Sequence, residues 1–349
     1  MAIYPKSEGE RRIAADALRD WVARIFEGCG MCREDAALLA DTLVAADVRG
    51  IHSHGVLRVP DYVKKLRVEG VNPRGRPAVV SDRGAALVVD GGNSMGQIGS
   101  HFAMGLAIRR ARELGVAAVA VRGSNHCGAM FYYTLQAVRE GMIGIATTNA
   151  LPTMAPWGGT DKIVGINPLS VAIPAGVEAP VVLDAAFSYS SHGKIRIYHQ
   201  KGAEIPSNWA FDEDGQPTTD AGRALEGLLQ PIGEFKGVGL AMAFGMMASM
   251  LSGAAYGTEL GNMVNGPAAG KDGHLFVAMD VAAFEDAGRF RERVDGAVRQ
   301  IRESRRMEGV EKLYAPGGLE AEIEGEYRRD GIPLNEATWK GLEELYTLR

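Results

Sequence analysis

Cysteine is scarce in this sequence, with three in 349 residues. So sparse and odd a set excludes a disulfide framework and fits a reducing, cytoplasmic setting. Cys29 and Cys32 form a C-x-x-C, but no second pair joins it at zinc-ligand spacing, so the motif reads as a loop between two helices. A positive charge balance is also missing. The formal net charge is -5, which argues against nucleic acid as a partner, because phosphate backbones select basic faces. The basic clusters Arg109-Arg110-Arg112 and Arg302-Arg305-Arg306 sit among acids and read as solvated helix faces. The first dozen residues lack the apolar stretch of a signal peptide. One long uncharged run exists, from Gly237 to Thr258. It is rich in Gly, Ala, Ser and Met, so it reads as a tightly packed buried helix and not a membrane span. Finally, no G-x-G-x-x-G joins a strand to a helix. Gly91-Gly92 with Gly96 and Gly99 is wrongly spaced, and Gly237 with Gly239 lacks a third glycine. The motifs therefore do not justify a standard Rossmann site.

What is present is ordinary globular material, 46% hydrophobic and 23% charged. The length implies more than one domain. Ile13, Ala17, Trp21 and Ile25 recur at helical spacing until Gly28 and Gly30. A second helix follows Arg33, with Ala36, Leu39, Leu43 and Ala46 on one face. A third carries Val56, Val59, Val63 and Leu66, with Pro60 in its first turn. From Ala78 short β-branched runs take over: residues 86–90, 116–121, 143–148, 169–174, 181–184 and 275–281. Helical stretches at 101–114 and 132–141 separate some of them. Residues 169–174 and 181–184 leave no room for a crossover helix and are expected to run antiparallel. The fold class is thus α/β (α+β), a mixed and largely antiparallel sheet with flanking helices. The charged tail from Phe284 reads as helical again. Two units are expected: a discontinuous helical domain of residues 1–76 and 285–349, and a mixed-sheet domain of residues 77–284.

Two histidine segments stand out. His52-Ser53-His54-Gly55 lies between two helices, followed by Arg58 and Tyr62. Histidine exchanges protons near neutral pH. Arginine grips carboxylates through two parallel N–H groups, and Arg58 lies about one helical turn beyond His54. The bland alternative is a serine-capped helix with a surface histidine. The second segment, Ser124-Asn125-His126-Cys127-Gly128, directly follows a strand, a common position for binding loops. A Ser53/His54 or Cys127/His126 hydrolase is a further alternative, although neither pair sits in a G-x-S-x-G elbow. Asp184 closes an apolar strand and is either a terminator or a partner for a histidine. No carboxylate cluster joins His52 and His54 at ligand spacing, so no metal site is expected.

These segments together resemble the non-Rossmann malate/L-lactate dehydrogenase family. That family includes ureidoglycolate dehydrogenase, diketogulonate reductase, sulfolactate dehydrogenase and the piperideine/pyrroline-2-carboxylate reductases. Further matches are Thr148-Asn149, Ala155-Pro156-Trp157-Gly158-Gly159, Gly165-Ile166-Asn167-Pro168, Gly193-Lys194, Phe235-Lys236-Gly237 and Pro316-Gly317-Gly318. The resemblance runs nearly end to end and implies an NAD- or NADP-dependent oxidoreductase. It would move hydride to or from C2 of a small 2-oxo/2-hydroxy acid or a cyclic 2-imino acid. His54 would be the proton donor/acceptor, Ser53 its neighbour, Asp184 its orienting partner and Arg58 the carboxylate anchor. Tyr62, Asn149 and Pro156 would contact substrate. His126, the acid/base group of the ureidoglycolate branch, is kept here as a substrate contact. Cofactor contacts would fall on Leu183, Asp184, Ala185, Ala186, Phe187, Ser188 and Tyr189, on Phe235, Lys236 and Gly237, and on Gly317, Gly318 and Leu319. A homodimer with sites near its interface is also implied. Three departures are visible. A lysine near Asn149-Ala150 typifies the ureidoglycolate branch and is missing, the usual Pro-Gly-Glu reads Pro316-Gly317-Gly318, and His52 occupies a variable position that can face substrate.

Overall fold

The computed structural model describes residues 10–262 and 266–347, so the outermost residues of both expected helical ends lie outside it. Seven strands form one sheet. Their spatial order is Ala78–Arg83, Ala86–Asp90, Val116–Ser124, Asp272–Asp280, Met142–Thr148, Leu169–Ile173 and Val181–Ala185. Only the second and third run parallel, and the other neighbours are antiparallel. The sheet is therefore mixed and largely antiparallel.

The helices among the described residues are placed by their packing. Helix α1 (Ala15–Glu27), α2 (Arg33–Val48) and α3 (Val59–Arg67) open the chain. Helix α4 (Gly96–Leu114) supplies the crossover that the one parallel strand pair requires. It starts earlier than its apolar spacing suggests. Gly96 packs on the Asn125 carbonyl, where a Cβ would lie 1.8 Å from the oxygen, so the glycine serves close packing and not a fingerprint. With α5 (Phe131–Arg139), α4 covers the sheet through Met104, Ala107, Ala111, Tyr133 and Ala137, packed around Val119, Val121 and Phe276. Helix α8 (Phe235–Met250) also packs on the central strands, and with α6 (His192–Gln200) and α7 (Ala221–Glu226) it shares a smaller core that includes Ile195, Ala224 and Ala241.

The chain ends meet. Arg11–Ile13 pairs antiparallel with Ile332–Leu334, and Leu18, Leu39, Leu43, Tyr62, Ile332 and Leu342 share one core. The tail divides, however. Helix α9 (Ala287–Arg302) lies against the turn after Leu169–Ile173, where Asp295 accepts from the backbone N–H groups of Gly176 and Val177, both at 2.9 Å. Only α10 (Gly318–Asp330) and α11 (Glu336–Thr347) join the N-terminal helices.

The uncharged run folds as α8 but is not the buried helix expected from its composition. Its inner face is small, with Gly237, Ala241, Gly245 and Ala248 buried. Its large apolar side chains, Phe235, Leu240, Met247 and Met250, point outward and are exposed, Phe235 to 58%. Close packing decides this: a Cβ on Gly245 would lie 2.1 Å from the Asn167 amide nitrogen, so only glycine fits inside. Among the described residues no helix is long and apolar enough to cross a membrane.

Candidate active site

The turn between α2 and α3 is built on one buried carboxylate. Asp47 Oδ2 accepts from Val56 N at 2.7 Å, and Oδ1 lies 2.7 Å from His52 Nδ1. Gly55 packs flat on that carboxylate, where a Cβ would come within 2.1 Å of Oδ1. This contact explains the glycine after His54. His52 is thereby turned toward α10, where it stacks on Tyr327 with ring centroids 6.0 Å apart, and not toward His54. Ser53 Oγ lies 3.0 Å from His54 Nδ1. Arg58 Nε donates to the Ser53 carbonyl at 2.8 Å, and its Nη1 lies 3.2 Å from Asp61 Oδ2. The first turn of α6 rests on the same place, since a Cβ on Gly193 would lie 2.6 Å from Arg58 Nη2 and 3.4 Å from Ser53 Cβ.

The loop after Val116–Ser124 brings the second histidine. His126 stacks on His54 with centroids 5.8 Å apart and planes 19° off parallel. Tyr62 O–H lies 2.7 Å from His126 Nδ1, and Gln97 Nε2 donates to Tyr62 Oη at 3.0 Å. Both rings keep a partly open edge, yet the protein around them is dense. Desolvation first, and then the Arg58 charge, pushes the His54 imidazole down to about 3. Burial, His54 and Arg58 hold His126 well below its ordinary value. Both are neutral imidazoles at physiological pH. His192 joins them at the start of α6, pushed down to about 4 by burial and then by Lys162, Arg196 and Arg58.

Several expected contacts lie elsewhere. Asp184 Oδ2 accepts from Phe131 N at 2.7 Å, so it anchors the start of α5 and is not paired with His54. Its strand, Val181–Ala185, runs along the sheet edge. Burial first of all raises its carboxyl to about 7. The Asn149 amide is held by backbone, donating to Ala255 O at 2.8 Å and accepting from Gly273 N at 3.1 Å, and the residue is buried. Tyr62 stands behind His126 and is fully buried. Pro156 is half-buried, in the loop that exposes Trp157. Cys127 Sγ faces Met130 Sδ at 3.5 Å and His274 Nδ1 at 3.7 Å, and burial pushes the thiol up to about 12. It is no partner for His126. Ser53 is 4% exposed, with its hydroxyl against the Nδ1 of its neighbour His54. Among the described residues no three His, Cys, Asp or Glu side chains gather as a metal cluster.

The order of segments around this cleft has counterparts elsewhere. Residues 13–343 match the malate/L-lactate dehydrogenase family. The chain belongs to it. It is 37% identical to the L-sulfolactate dehydrogenase of Methanocaldococcus jannaschii over 340 residues, covering 97% of this chain and 95% of that protein. The crystal structure of malate dehydrogenase from Entamoeba histolytica superposes with a TM-score of 0.94 at 30% identity, covering 97% of this chain and 98% of that one. Δ1-Piperideine-2-carboxylate reductase from Pseudomonas syringae superposes with a TM-score of 0.85 at 29% identity, covering 96% and 99%.

The dinucleotide that the malate/L-lactate dehydrogenase resemblance implies can be tested against the three expected segments. They converge. Val182 N donates to Pro316 O at 2.9 Å, and Ile232 N donates to Phe187 O at 3.0 Å, just before Phe235. Gly317, left-handed at φ 83°, caps α10 with no side-chain acceptor, and α8 likewise starts without one. Free backbone N–H groups at two helix starts suit phosphates. Leu183, Tyr189 and Phe235 expose large apolar side chains on these segments, which suits planar rings. Phe187 is buried against Phe244 and Gly237 is packed on Ile232, so these two residues shape the segment from behind. The residues present fit such a group.

What sequence reasoning missed is the support. Asp47, Gln97, His192 and His274 carry no motif. Ser191, whose Oγ accepts from Lys194 N at 3.2 Å, is a serine N-cap that could have marked the start of α6.

Proposed function

We propose that the stacked His54–His126 pair, flanked by Arg58, exchanges a proton with the C2 oxygen of a small 2-oxo/2-hydroxy acid during nicotinamide-dependent oxidoreduction. The single observation that carries this reading is two neutral imidazoles 5.8 Å apart beside a guanidinium. Arg58 anchors the substrate carboxylate through its Nη groups, as guanidinium does bidentately. His54 takes the hydroxyl proton when a 2-hydroxy acid is oxidised and returns it when a 2-oxo acid is reduced. Its neutral state suits the first task. In the second, a carboxylate on Arg58 offsets the guanidinium charge, the smaller of the two causes that depress His54, and so favours the protonated ring more than in the free protein. Bound NAD or NADP supplies or accepts the hydride. His126 contacts the same oxygen. Ser53 backs His54, while Asp184 acts indirectly by holding the loop that carries His126.

The chain is an NAD(P)-dependent dehydrogenase or reductase by its family. Reduction of a cyclic 2-imino acid asks the same of these residues, with protonation at nitrogen instead of oxygen. The neighbour named as a piperideine-2-carboxylate reductase keeps that second reading in play. A second copy of this chain would cover the outward Phe235, Leu240, Met247 and Met250 of α8, because an apolar face of that size is a recurrent subunit contact. We read the protein as a homodimer on that ground, and as cytoplasmic from its three unpaired cysteines.

The test is absorbance of reduced nicotinamide, with NADH and NADPH in parallel against pyruvate, oxaloacetate, sulfopyruvate and the two cyclic imines. Oxidation with any acid supports the reading and names the substrate. Absence of both turnover and nucleotide binding rejects it.

A further inference from the structure

We propose that Gln97 and Tyr62 are positioning residues that lock His126 in its Nε2–H form, a fixed hydrogen-bond donor for the substrate's C2 oxygen. The substrate half of this inference rests on the function proposed above.

Two donors converge on His126 Nδ1: the Tyr62 hydroxyl at 2.7 Å and the Gly128 backbone N–H at 3.4 Å. Tyr62 Oη in turn accepts from Gln97 Nε2 at 3.0 Å, so its single proton is directed at the ring. A nitrogen that accepts carries no hydrogen, and the ring proton must sit on Nε2. Moving it to Nδ1 would set N–H against the N–H of Gly128. The Gly128 contact is the longer and weaker of the two, so the direction of the Tyr62 proton, set by Gln97, decides the tautomer. Gln97 is completely buried, and its Oε1 has no partner. A glutamine held there with one end unsatisfied costs stability; what the other end does is orient Tyr62.

His54 differs. Its Nδ1 faces the Ser53 hydroxyl at 3.0 Å, which can rotate to donate or accept. The ring can therefore gain or lose a proton at Nε2 while Ser53 follows. One ring is locked as a donor and the other is free to carry the proton.

The experiment is 15N-histidine NMR of the full chain, with His126 assigned by the signal lost in His126→Asn. In the wild type from pH 5 to 8, His126 should show a protonated Nε2, a bare Nδ1 and no titration. Gln97→Glu keeps the shape but reverses the polarity, since a carboxylate accepts from Tyr62. It should move His126 to the Nδ1–H form and cut kcat by roughly 10–100-fold, with little change in KM. Tyr62→Phe should give a mixture of tautomers and a smaller loss of kcat. An Nδ1–H wild type, or a Gln97→Glu variant with unchanged tautomer, would overturn the lock. The spectra need no substrate, so an Nε2–H ring that responds to Gln97→Glu supports the lock even if no acid is turned over, and that second result rejects the functional reading alone.

Discussion

His54 and His274 are both pushed down to about 3, and desolvation is the first cause in each. Their surroundings differ. His274 lies in the middle of the sheet at 0% exposure, with Nδ1 2.7 Å from Thr148 Oγ1 and Nε2 2.8 Å from Ser124 Oγ. Both nitrogens are spent on hydroxyls. His54 sits where the helical layer meets the sheet, with one nitrogen on Ser53 and the other edge open. A depressed imidazole is thus a property of burial that the two share. Reactivity follows from the spare nitrogen and from the guanidinium next to it.

The largest expected effect separates these two rings. His54→Asn should lower turnover by roughly 10²–10⁴-fold with the fold intact, as loss of an acid/base group does. A loss under tenfold in steady-state kinetics would transfer the role to His126. Arg58→Ala should come next, raising KM by roughly 10–100-fold, in line with one charged hydrogen bond. An unchanged KM would take Arg58 out of the substrate site. His274→Asn should leave kcat within about twofold but destabilise the chain by about 1–3 kcal/mol, because Ser124 and Thr148 lose a buried partner. Urea midpoints measure that cost, and a large kcat effect would erase the contrast drawn above.

The smallest effect is a pH slope. Asp184 stands at about 7 against an ordinary 3.8. Between those values the folded chain holds a proton that the unfolded chain has released. Its contribution to stability is therefore fully present below pH 4 and declines as pH rises toward 7. Asp184→Asn should flatten the fall in urea midpoint between pH 4.5 and 7. A variant as steep as the wild type would refute this assignment.

The sequence carried the sheet well where apolar runs alternate, as at Ala86–Asp90 and Leu169–Ile173. It did not carry Ala78–Arg83, because that strand lies at the sheet edge and exposes Val79 and Val80. His54, Arg58 and His126 were legible because glycine-flanked polar loops between apolar elements are unusual. Asp47 was not, since its role needs Gly55 and Val56 folded back on it. Gln97 was hidden inside α4, where a polar residue on a helix reads as a solvated one. Asp184 was legible as a strand-ending acid, but its partner, the Phe131 N–H at the start of α5, is set by tertiary packing that the sequence does not show. The pattern of α8 was misread because Gly237 and Gly245 face inward while Phe235, Leu240, Met247 and Met250 face outward.

The 5.8 Å stack of His54 on His126 joins one ring from the α2–α3 turn to one from a sheet loop. Any sliding of the helical layer over the sheet must change the spacing or overlap of the two rings. The pair is thus a gauge of inter-layer shear, and a remote substitution that loosens the contact between layers would be read out as a defect in proton transfer.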